Sequence, residues 1–139
     1  MRKLLFLFLA TTYYLLPTFS LAQAPQAVKY QAIARDNAGI ELPNTALSVR
    51  ASVHDGSTSG PIVYQETHAV TTNAFGLFTI SLGQGTVITG TFSTINWASG
   101  GKYLEQEVDF GSGFQSMGTS QLISVPYALY AQTSGTGGP

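Results

Sequence analysis

The chain has 139 residues, enough for one domain, and 44% of them are hydrophobic, which supports a core without help from a metal ion. Charged residues make up 9% where an average soluble protein has roughly a quarter. Beyond residue 22, four Lys and Arg against seven Asp and Glu leave a net charge of −3, which argues against a phosphate-binding surface and a nucleic-acid partner, and the absence of cysteine excludes disulfides.

Arg2 and Lys3, the apolar run Leu4 to Ala10 and the mostly apolar stretch up to Pro17 read as the basic and hydrophobic regions of a secretory signal. Small residues at Ser20 and Ala22 place cleavage before Gln23. Pro17, Thr18 and Ser20 end the run short of the ~20 apolar residues a membrane span needs. Residues 1–22 are therefore expected to be removed, residues 23–132 to form the domain, and residues 133–139 to be a Gly-rich linker or the start of a stalk.

From Ala27 onward, short runs of Val, Ile, Thr, Tyr and Phe alternate with Gly, Asp, Asn and Pro clusters, an all-β pattern. Ala27 to Arg35 reads as a strand closed by a turn at Asp36-Asn37-Ala38-Gly39. Ala46 to His54 is the clearest strand, with Leu47, Val49, Ala51 and Val53 facing the core and Ser48, Arg50, Ser52 and His54 facing water. Ile62 to Thr72 is a further strand, followed by a turn at Thr72-Asn73-Ala74. Phe78, Ile80 and Leu82 then alternate with polar residues up to Gly83-Gln84-Gly85, with a turn or bulge at Gly76.

Val87 to Gly101 is the least regular stretch, where Phe92 to Trp97 is expected to form one helical turn with a Ser cap, and Trp97 to plug one end of the core. Lys102 to Phe110 reads as a strand with Leu104, Val108 and Phe110 inward, its outward Glu105, Glu107 and Asp109 guarding a sheet edge. Gln121 to Val125 reads as the last strand, stopped by Pro126 and followed by a helix-leaning Tyr127 to Ala131. About seven strands in one domain fit a single antiparallel β-sandwich with a core of Leu47, Val49, Val53, Phe78, Ile80, Leu82, Leu104, Val108 and Leu122.

No cysteine nucleophile and no Gly-x-Ser-x-Gly elbow is present, and the glycine-rich loops precede no phosphate-binding helix. Glu66 and His68 leave the same strand face, as two ligands of a metal ion would, but no third ligand announces itself and a solvated face is the simpler reading. No catalytic residue, cofactor or metal is assigned. Trp97, Tyr64 and Tyr103 are the candidate ligand contacts, as a stacking platform for sugars.

Three stretches carry a resemblance. They are Val28 to Asp36 (VKYQAIARD), Tyr64 to Phe78 (with YQETH and TTNAFGLF), and Gly118 to Ala131 (ending SVPYALYA). Together they resemble the N-terminal head domain of secreted Bacteroidota surface proteins, in which collagen-like or tail-fibre-like regions commonly follow the head. Gly135-Thr136-Gly137 and Gly138-Pro139 keep glycine at the spacing of three that a triple helix requires. Asn73 to Ile80 is more loosely similar to prealbumin-like extracellular modules, which bears on fold only. The resemblance implies a non-enzymatic structural or interaction module, secreted or at the cell surface, that would trimerise if a collagen-like stalk follows. The alternative is a carbohydrate-binding, adhesin-like module, so the expected partner is a protein or a glycan.

Overall fold

The alternation that marks Ala46 to His54 is realised as a central strand, β2 (Ala46–Asp55), in a computed structural model that describes residues 26–123. The other strands are β1 (Val28–Ile33), β3 (Ile62–Thr71), β4 (Leu77–Leu82), β5 (Thr86–Thr89), β6 (Lys102–Asp109) and β7 (Gln115–Leu122). All pair antiparallel, as a five-stranded sheet in the order β5-β3-β2-β6-β7 and a two-stranded sheet β1-β4. The expected seven-stranded all-β sandwich is the fold. The signal segment, Val125, Pro126, the Tyr127 to Ala131 stretch and the 133–139 tail lie outside the described residues.

Hydrophobic burial builds the space between the sheets. Leu47, Val49 and Val53 from β2 and Leu104 and Val108 from β6 meet Phe78, Ile80 and Leu82 from β4, all buried. Across the layers, the Tyr30 hydroxyl donates to Gln106 Oε1 at 2.6 Å, which sets β1 over β6. Leu122, expected in the core, is only partly buried because β7 is the outer strand of its sheet. Phe110 is likewise half-buried, one residue past the end of β6.

Two turns follow their sequence signals. Asp36 Oδ1 accepts the N–H groups of Ala38 and Ile40, and Gly39 takes the left-handed conformation that closes the turn. Asn73 Oδ1 accepts from Phe75 and Leu77 at 2.8 and 3.0 Å, while Gly76 at φ 75° donates back to the Asn73 carbonyl. Asn73→Ala should cost about 1–2 kcal/mol through those two lost bonds. A urea midpoint equal to that of the unsubstituted protein would show that the turn holds without them.

Four expectations are corrected. The outward face of β2 is not simply solvated, because Ser52 and His54 are buried there beneath neighbouring side chains. The helical turn is a short 3-10 segment, Phe92–Thr94, whose N-cap is Thr91 without a side-chain cap bond. The last strand begins at Gln115 rather than Gln121. Finally, β6 lies between β2 and β7 and is no edge strand, so Glu105 and Glu107 do not guard an edge.

Candidate functional site

Because strand side chains alternate, Tyr64, Glu66 and His68 on β3 share one face, and that face points into the sandwich. Glu66 is 0% exposed, so the expected solvated face is corrected. Its carboxylate is held from both sides. Oε1 accepts from His68 Nε2 and from the Gly83 N–H, each at 2.8 Å, and Oε2 accepts from the Tyr64 hydroxyl at 2.7 Å and the Gly85 N–H at 2.8 Å. Burial alone would push this carboxyl up, but the bonds from His68, Tyr64, Gly83 and Gly85 outweigh it and hold the group below its ordinary value. Burial and the bond to Glu66 raise the Tyr64 phenol above the usual tyrosine range.

What the buried charge fixes is the turn after β4. A Cβ added at Gly85 would stand 2.7 Å from His68 Nε2 and 2.9 Å from Glu66 Oε2, so the backbone approaches the carboxylate as closely as it does only because residue 85 is glycine. Glu66 and His68 thus meet each other rather than jointly facing a metal ion. No group of three or more His, Cys, Asp or Glu that could hold a metal occurs among the described residues.

Beside the pinned turn lies an open groove of about 520 Å³, lined by Gln26, Gly83, Gln84, Val87, Thr91 and Ser93, with Tyr64 and Phe92 at its base. Phe92 meets Tyr64 edge-on at 5.3 Å between ring centroids and Trp97 at 5.5 Å on its other side. Trp97 is 44% exposed. It does not plug the core as expected; Phe92, buried against Tyr64, closes that end, and Trp97 packs outside it. The residue sequence reasoning missed is therefore Phe92, whose only signal was a lone aromatic in an irregular stretch.

The three predicted ligand contacts are not one platform. Tyr64 is 0% exposed with its hydroxyl on Glu66, so it supports the site from beneath and offers no surface to a ligand. Tyr103 lies on the opposite, outward face, in register with His54. Only Trp97 joins exposure to a fixed setting.

The outward acids are matched by partners. Arg50 forks onto Glu107, with Nε and Nη2 each donating to one carboxylate oxygen, and its guanidinium lies 4.3 Å over the Phe114 ring. His54 Nε2 stands 2.9 Å from Glu105 Oε2 and its Nδ1 2.8 Å from the Gly60 carbonyl. Asp109 Oδ1 accepts from Gly111 and Gly113, which lowers its carboxyl and shapes the loop into β7. A second open groove, about 570 Å³, lies at that end beside Leu47, Val70 and Phe110.

The chain matches, over residues 29–122, the family described as a domain of unknown function (DUF8740), and it belongs to that family. No curated protein and no solved structure matches it significantly.

Proposed function

We propose that this DUF8740 domain is a non-enzymatic interaction module, exported through the signal at residues 1–22 and serving as the head of a longer cell-surface or fibre protein. The observation that carries this reading is the uneven cover of the sandwich. On β4, Phe78, Ile80 and Leu82 are no more than 4% exposed, whereas on β1, Tyr30 and Ala32 are half-buried and Val28 is 44% exposed. The layer of two strands leaves the flank beside β1 and β7 thinly covered. Val28 and Leu122 sit at the same end, because Leu122 pairs with Lys102 and Val28 with Leu82. An apolar flank of this kind is what a further segment or another subunit packs against.

The polar chemistry of the interior also fits a structural role. Every buried side-chain nitrogen and oxygen among the described residues has a hydrogen-bond partner, and the most deeply buried acid spends its bonding capacity on holding a turn.

Intact mass and N-terminal sequencing of the native secreted product test the reading. The expected product starts at Gln23, extends past Pro139 and sediments as an oligomer. A monomer that ends at Pro139 would overturn the head assignment.

A further inference from the structure

We propose that the groove between the Gly83 to Gly85 turn and Phe92 binds a neutral carbohydrate, with the exposed Trp97 indole as its stacking face. The inference rests on the interaction-module reading and names the ligand class of one site on it. Its lining carries two carboxamides, Gln26 and Gln84, and two hydroxyls, Thr91 and Ser93, beside the apolar Val87 and Phe92. None of the lining residues is charged. A phosphate, carboxylate or ammonium ligand would lose hydration there without a counter-charge. A sugar instead pairs its hydroxyls with amides and lays its C–H face on an aromatic ring.

Preorganisation strengthens the case. Trp97 is exposed yet set against Phe92, which is itself set against Tyr64, so a stacking surface is presented with little rotamer freedom left to lose. The opposite wall is backbone, and the Glu66 carboxylate fixes it through the Gly83 and Gly85 N–H groups. A buried carboxylate is costly to maintain, and here its bonds are spent on the turn that borders the groove. A peptide would find its natural seat elsewhere, along the unpaired edge of β5, where Thr86 to Thr89 are all exposed.

The test uses the mature native chain, titrated with neutral cello-, xylo-, manno- and chito-oligosaccharides. Trp97 is the sole tryptophan, so its emission reports this site alone. At least one series should shift or quench that emission saturably, Trp97→Ala should weaken binding by about tenfold or more in calorimetry, and Gln84→Ala, at an exposed turn residue, should weaken it less. Tyr103→Ala, on the other face, should bind like the unsubstituted chain. The proposal is overturned if no series changes the emission, if Trp97→Ala or Gln84→Ala binds unchanged, or if a ligand perturbs only the amides of Thr86 to Thr89, the mark of a peptide on β5. Loss of sugar binding in a product that still extends past Pro139 and oligomerises would remove the glycan site and leave the head reading standing.

Discussion

Glu66→Ala is expected to cost about 3–5 kcal/mol, the usual loss when one member of a buried charged pair is removed. The substitution strands four donors at once: the Tyr64 hydroxyl, His68 Nε2 and the N–H groups of Gly83 and Gly85. Because Glu66 is 0% exposed, water does not replace the carboxylate without opening the sandwich. Against a typical domain stability of about 5–15 kcal/mol, the variant should unfold at much lower urea or not fold at all. Glu66→Gln keeps the shape and one acceptor oxygen, and should lose about 1–3 kcal/mol. Equal midpoints for Glu66→Ala and the unsubstituted protein would mean that the carboxylate holds nothing.

The same group sets a pH dependence. Its folded carboxyl lies below the ordinary value of 4.5, so the folded state takes up this proton less readily than the unfolded chain. Its stabilisation is therefore complete above the unfolded value and is lost as pH falls through the folded one. Asp109, lowered by its bonds to Gly111 and Gly113, acts in the same direction from the exposed loop. Thermal midpoints should fall as the solution is acidified below the ordinary carboxylate value, and Glu66→Gln should flatten that fall. An unaltered slope in the variant would place the acid sensitivity elsewhere.

The sequence was most legible where burial is one-sided. β2 and β4 put their apolar residues at every second position, and their bounds agree with the expected ones to within a residue. β7 was misplaced because Gln115 to Ser120 has no such alternation; its backbone ladder with β6, bulged near Met117, defines it instead. β5 escaped for a related reason, since four exposed residues carry no inward face. For the candidate site, period two gives which residues share a face but not which face is inward. On β3 the set Tyr64, Glu66, His68 is no more apolar than Val63, Gln65, Thr67, so the buried carboxylate read as a solvated one. The donors that make its burial tolerable, Gly83 and Gly85, lie on a different element and become visible only in three dimensions. Size misled at Trp97, because the smaller Phe92 occupies the buried place.

Val49→Asp should abolish the fold. Val49 is 0% exposed at the middle of the central strand, paired with His68 on β3 and Val108 on β6, so both neighbours in the larger sheet register any change there. Aspartate is nearly isosteric with valine, which makes charge rather than volume the decisive term. An ionised carboxylate at this position would lack the ring of donors that Glu66 enjoys, and keeping it neutral still leaves polar oxygens among Leu47, Val53 and Leu104. Val49→Ala, which removes only methyl groups, should instead cost about 2 kcal/mol and leave a cooperative transition. Circular dichroism and amide NMR on both variants separate the two effects: dispersed resonances for Val49→Ala with a collapsed spectrum for Val49→Asp are expected. A β spectrum and a cooperative transition retained by Val49→Asp would mean that water reaches this position and that the centre of the sandwich lies elsewhere.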